Sequence, residues 1–123
     1  MRFANLAGRL ALVVGDGMVD VERASGGRFP ADPQAAYERW DALVAWAAGV
    51  GGDDARQWRE EDLGPPAPRP GQVFAIGLNY RDHAAEAGFQ VPKQPTVFTK
   101  FRSAVTGPYG GVALPPGDVD WEV

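Results

Sequence analysis

One histidine stands in this sequence of 123 residues, His83, and Glu86 follows three positions later. An imidazole with an unperturbed pKa of about 6.5 gives and takes protons near neutrality. On a helix, positions i and i+3 share a face. A carboxylate on one ring nitrogen fixes the tautomer and raises the basicity of the other, which makes a general base able to activate water. The plainer alternative is a solvated helix face with a weak ion pair, and on these two residues alone it prevails. Asp120 and Glu122 lie two apart near the end of the chain. On a strand they share one face, either turned to solvent or beginning a site for a hard cation such as Mg²⁺. Lys100 ends a predicted strand, where it neutralises an anionic substrate or simply guards a strand edge. Asn79 and Tyr80 follow Gly77 at a strand-to-helix junction. Asn79 caps the helix there, or the junction opens into a pocket.

The elements that must position these residues fall into two patterns. Arg2–Leu6, Arg9–Val14 and Met18–Val21 read as short strands, with a turn at Gly15-Asp16-Gly17, and suggest a small antiparallel meander. Asp32-Pro33 starts a helix. Tyr37, Trp40, Leu43, Val44 and Ala47 give that helix one apolar face as far as about Ala48, which packs on the meander. Residues 53–62 suggest a short surface helix around Trp58. The run Leu63-Gly64-Pro65-Pro66-Ala67-Pro68-Arg69-Pro70-Gly71 is a stiff, extended connector, because proline fixes φ and removes amide donors. Beyond it, Val73–Ile76 reads as a buried strand and Tyr80–Ala87 as a helix stopped by Gly88. Pro95–Phe101, Val112–Leu114 and Val119–Val123 read as further strands. The division expected is a small domain over 1–62, the connector over 63–71, and a second unit over 72–123. The fold class is α+β, rich in β.

Composition narrows the partners. The formal charge is −4 and the basic residues are scattered, whereas a nucleic-acid footprint gathers them on one patch. No apolar run approaches the roughly 20 residues that span a bilayer, and the first six residues lack the apolar core of a signal peptide. There is no cysteine, which fits a cytoplasmic protein. A small molecule is the expected partner, with no nucleic acid and no membrane.

Taken in order, the motifs match a known family. Gly77-Leu78-Asn79-Tyr80-Arg81-Asp82-His83-Ala84-Ala85-Glu86 resembles the signature that opens the catalytic domain of the fumarylacetoacetate hydrolase family. Pro95-Thr96-Val97-Phe98-Thr99-Lys100, Gly107-Pro108 and Leu114-Pro115 follow in that family's order. Asp120-Trp121-Glu122-Val123 is similar to the start of its metal-binding strand, and residues 1–62 look like the small N-terminal domain of many bacterial members. The ordered series reverses the balance at His83 and Glu86.

The resemblance implies a fold and a chemistry. The fold would be a small N-terminal meander with a helix, then the beginning of a mixed β-roll. The cofactor would be Mg²⁺, Mn²⁺ or Ca²⁺, held by two glutamates one residue apart and a later aspartate, of which Glu122 matches the first. A 2-oxo or 1,3-diketo acid would chelate the metal, with Asn79, Tyr80 and Lys100 against the substrate. His83, oriented by Glu86, would deprotonate water, the hydroxide would attack a carbonyl, and a C–C bond would break through an enolate. Relatives decarboxylate, isomerise or hydrate similar acids, and a homodimer is the family's habit. The second glutamate would fall just past Val123, so the sequence is expected to be a truncated or split enzyme. The isolated chain would then be inactive, or paired with a chain supplying the missing catalytic half. The alternative is a noncatalytic subunit that keeps the family's shape.

Overall fold

The computed structural model describes residues 1–114, 116 and 117. The first three strands, β1 (Arg2–Leu6), β2 (Arg9–Val14) and β3 (Gly17–Asp20), form the expected meander. Its register pairs Phe3 with Leu12, Asn5 with Leu10, and Leu12 with Val19. Side chains on a pleated strand alternate, so Phe3, Leu10 and Leu12 face one side. They meet Val21, Phe29, Ala36, Leu43 and Ala47 there. Leu43 and Val21 are fully buried, and each contributes roughly 1.5–3 kcal/mol of transfer free energy.

Val21 ends up in a helix, not in the return strand. Val19 and Val21, alternating with Asp20, suggest a strand through Val21. Instead β3 stops at Asp20, whose carboxylate accepts the Arg23 amide at 3.0 Å and caps the four-residue helix α1 (Val21–Ala24). Asp32 also accepts a backbone amide, that of Gln34 at 3.0 Å. The turns that follow are tighter than expected: Gln34–Arg39 is 3₁₀, and only Trp40–Ala47 is α-helical (α2). Apolar spacing does not distinguish the two windings. Leu43 and Ala47 face the core, while Tyr37 and Trp40 stay partly in solvent, stacked on each other with Phe3 edge-on to Trp40. Of the helix expected over 53–62, only a single 3₁₀ turn forms, Glu60–Asp62.

The start of the connector joins the first sheet. Leu63–Gly64 forms β4, an edge strand beside β1, giving the order β3-β2-β1-β4. After the prolines, β5 (Val73–Gly77) and β6 (Thr96–Lys100) make a two-stranded antiparallel ribbon with the helix α3 (Arg81–Glu86) between them. The strand at Val73 is where expected, but it is not buried: Phe74 is 61% and Ile76 46% exposed. Among the described residues the ribbon has one pairing on each strand and no layer over the face that carries Phe74, Ile76 and Val97. No strand forms over Val112–Leu114, and Val112 and Leu114 are exposed. The strand expected at Val119–Val123 lies outside the described residues. Both sheets are antiparallel, with short helices between their strands, which is an α+β arrangement.

Candidate functional site

The site expected from sequence centres on the turn from β5 into α3. Gly77 does not take the unusual backbone there. Leu78 does, with φ 53°, a left-handed conformation that costs a residue with a Cβ about 1 kcal/mol or more. The chain reverses at Leu78 and presents Asn79 and Tyr80 to solvent, Tyr80 being 70% exposed. Asn79 does not cap α3. The capping position belongs to Tyr80, in extended backbone, and no side chain bonds the first helical amides.

Helix α3 closes as its glycine foretells. Gly88 has φ 70°, its amide bonds to Ala85 O at 3.1 Å, and the Phe89 amide bonds to Ala84 O at 2.8 Å. These two bonds are a Schellman closure, which needs a left-handed residue just past the helix end. Ala84 is fully buried and faces inward. His83 and Glu86 lie on the exposed part of the helix, three residues apart and hence on one face. Among the described residues no ion pair within 4.0 Å joins them. The helix puts the pair within reach of each other without yet engaging it.

Lys100 is set apart from this turn. The ribbon register pairs Val73 with Lys100 and Gly77 with Thr96, so Lys100 stands at the other end of the ribbon from the Leu78 turn. Its ammonium lies 6.0 Å from the Phe98 ring centroid. Glu122, the expected metal ligand, lies outside the described residues, as does Asp120. Among the described residues no group of three His, Cys, Asp or Glu side chains converges as a metal cage. Mg²⁺ needs oxygen ligands around a whole octahedron, and the residues described do not by themselves supply such a set.

Two clefts formed by the described residues lie elsewhere, on the N-terminal part. One, of about 410 Å³, is bounded by Phe3, Pro33, Tyr37, Trp40 and Pro66. Another, of about 450 Å³, runs between the β1–β2 turn and the loop at Asp54–Gln57, with Arg9, Asp20, Arg23 and Arg56 on its walls. Arg9 is fixed there: its Nε donates to Asp20 at 2.6 Å and its Nη2 to Glu22 at 2.8 Å. Hydrogen bonding to Arg9 holds the Asp20 carboxylate below the usual range. Partial burial opposes the shift, and the Arg23 amide assists it. Sequence reasoning did not single out this ion cluster. Its signal was the charge pattern of Arg9 at the start of β2, Asp20 at the end of β3 and Glu22 two residues later in α1.

Comparison with known proteins decides the family. The profile described as fumarylacetoacetate (FAA) hydrolase C-terminal matches residues 72–123, the stretch that carries β5, α3 and β6. Residues 72–123 belong to the fumarylacetoacetate hydrolase family. A mitochondrial oxaloacetate tautomerase from Rattus norvegicus is 50% identical over 60 residues, which cover 47% of this chain and 19% of that protein. A protein from Mycobacterium smegmatis assigned as HpcE has a crystal structure that matches 95% of this chain at 50% identity and a TM-score of 0.80. A maleylpyruvate hydrolase from Sphingobium sp. SYK-6, solved with manganese(II) and pyruvate, matches 94% of this chain at 26% identity and a TM-score of 0.56. The chain spans 42% of each of these two structures, less than half their length. Both matches run through the meander as well as the ribbon, so the α+β fold holds across nearly all of the chain. Among the described residues no helix is long and apolar enough to cross a membrane.

Proposed function

We propose that this chain carries the proton-transfer half of an enzyme acting on small 2-oxo or 1,3-diketo acids. The supporting observation is the placement of His83 and Glu86 on one exposed face of α3, directly after the left-handed turn at Leu78. A substrate seated against Asn79 and Tyr80 meets that face. His83 then takes a proton from water, and Glu86 holds the opposite ring nitrogen in its N–H tautomer. The hydroxide adds to a carbonyl, the C–C bond breaks, and the electron pair leaves as an enolate, which is reprotonated. A divalent cation, Mg²⁺, Mn²⁺ or Ca²⁺, would act as a Lewis acid toward the acid's oxygens, with Glu122 as one of its carboxylates. Lys100 is the weaker substrate contact. A second reading, keto–enol tautomerisation of the same acids, is favoured by the half-identical tautomerase segment. It uses the same base but takes the proton from carbon.

Proposals about assembly rest on the exposed ribbon. Phe74, Ile76 and Val97 form an uncovered apolar face, and a two-stranded ribbon is marginal alone. We infer that the face is covered in the working protein, in a homodimer or by a polypeptide carrying the rest of the catalytic region. The chain on its own is then inactive and binds Mg²⁺ weakly. A noncatalytic subunit would keep this face while losing the chemistry. The absence of cysteine supports a cytoplasmic location.

The test compares the chain alone with the chain assembled with a polypeptide supplying the rest of the family's catalytic region. Both are given oxaloacetate and acylpyruvates with Mg²⁺ or Mn²⁺. Activity is expected only in the assembly, with His83→Asn lowering kcat by about 10²–10⁴-fold and Glu86→Gln by about 10–100-fold. Full activity in an assembled His83→Asn variant rules the reading out. C–C cleavage by the isolated chain rules out the inferred dependence on assembly.

A further inference from the structure

The proline-rich run is held at Pro65, Pro66 and Arg69. Just before it, Gly64 pairs with Asn5 across the β1–β4 ladder. Asn5 Nδ2 donates to the Pro65 carbonyl at 2.9 Å, and Tyr37 Oη donates to the Pro66 carbonyl at 3.3 Å. The Arg69 amide donates to Gln34 Oε1 at 2.9 Å, and its guanidinium bonds the Asp32 carboxylate. The other oxygen of Asp32 takes the Gln34 amide. One carboxylate therefore fixes both the receiving segment and the run docked against it. Prolines offer no amide donors, so the contacts use their carbonyls and the amide of Arg69. The backbone bends through residues 66–69 to make these contacts, where the composition suggests a straight spacer.

The chain then returns to the point it left. A Cβ placed on Gly107 would lie 2.6 Å from the Leu63 carbonyl oxygen and 3.3 Å from Gly64 Cα. Only a residue without a side chain fits so close to the backbone of β4. The whole excursion through β5, α3 and β6 thus begins and ends against the same short strand.

We propose that Pro65–Pro70 and Gly107 form a two-ended clasp that holds β5, α3 and β6 in a fixed position against the N-terminal sheet. A free proline-rich spacer would let those elements swing as a stiff arm. The Tyr37 and Arg69 bonds are individually weak because they are exposed, and only the Asn5 bond is part-buried. They act on a segment that has little backbone freedom to lose, since proline already restricts it. The clasp does not depend on the chemistry proposed for His83. It predicts that residues 1–62 set the position of α3, so the small unit takes part in building the site.

The test is amide dynamics in the full chain labelled with ¹⁵N. The heteronuclear NOE values of Ala67, Arg69 and Gly71 are expected to equal those of β1–β3. Arg69→Ala and Gln34→Ala are each expected to speed amide exchange over residues 67–71 by about three- to fivefold, leaving β1–β3 unchanged. Gly107→Ala is expected to loosen the same residues from the far end. Ala67 and Gly71 as mobile in the unmodified chain as its free termini would overturn the proposal. So would Arg69→Ala and Gly107→Ala variants that fold and leave the exchange of residues 67–71 unaltered. If a variant does not fold, the NOE values of the unmodified chain decide alone.

Discussion

Lys100 stands directly across the ribbon from Val73, at the opposite end from the Gly77–Thr96 pair. Four strand steps of about 3.4 Å separate the two ends by about 14 Å. Under the proposed function, a side chain that far from the Leu78 turn would reach the distal end of a substrate, not the reacting carbonyl. In the assembled enzyme, Lys100→Met is therefore expected to raise KM about three- to tenfold and to leave kcat within about twofold. Steady-state kinetics on one oxo acid checks the split. A kcat loss as large as that of His83→Asn would place Lys100 at the chemistry instead.

The β1–β2 turn holds a residue poorly suited to it. Ala7 and Gly8 both have positive φ, 49° and 81°, as a two-residue primed hairpin turn requires. Alanine is strained there, and asparagine tolerates the conformation far better. Ala7→Asn is expected to stabilise the chain by about 0.5–1 kcal/mol, read as a higher urea midpoint with an unchanged slope.

Acid should weaken the sheet at a defined point. Arg9 holds the native Asp20 carboxylate below its ordinary range, so the native state binds this proton less readily than the unfolded chain. The stabilisation is complete above the ordinary aspartate value. It is lost as pH falls below that value toward the depressed native one. Asp20→Asn should flatten this acid limb in a series of melting curves. Asp20→Ala should in addition cost about 1 kcal/mol through the lost cap on α1.

Asn5 and Gly64 are matched to each other. Asn5 is 5% exposed, its Nδ2 bonds Pro65, and its Oδ1 is buried without a partner. A Cβ on Gly64 would lie 2.6 Å from Asn5 Nδ2. Asn5→Ala should cost about 1–3 kcal/mol, because the Pro65 carbonyl loses its donor. Gly64→Ala should also destabilise. The double variant should cost less than the sum, since removing the Asn5 amide vacates the space that a methyl group on residue 64 needs. Chemical denaturation of all four proteins closes the cycle, and strict additivity would contradict the contact.

The meander and the end of α3 could be read from sequence because each rests on local rules. Glycine turns separate apolar runs of period two, and Gly88 sits where a helix must reverse its backbone. The first core helix was only half legible. Tyr37, Trp40, Leu43 and Ala47 keep helical spacing, but Pro33 and the bonds from Asp32 and Gln34 hold the first turns in 3₁₀ form. The exposed ribbon was misread because an apolar run such as Val73–Ile76 signals burial without saying what covers it. At the site, sequence order placed His83 and Glu86 on one helix face. Whether the two side chains touch depends on a neighbouring layer, which spacing does not encode. Asn5 was missed because a polar residue inside an alternating strand looks like a solvent position. Its partner, the Pro65 carbonyl, lies sixty residues away in sequence.

The aromatic packing around Trp40 and Trp46 has a bearing on any optical study. Of the four tryptophans, Trp40, Trp46 and Trp58 all belong to the part of the chain before β4. Trp46 packs 5.4 Å from Phe29, and Trp58 donates to the Asp16 carbonyl. Indole emission during denaturation will chiefly follow loss of the meander and its helix. None of these three indoles lies in α3 or its ribbon, so their emission does not report the melting of those elements. A fluorophore attached near Gly88 would be needed to tell whether the halves come apart together.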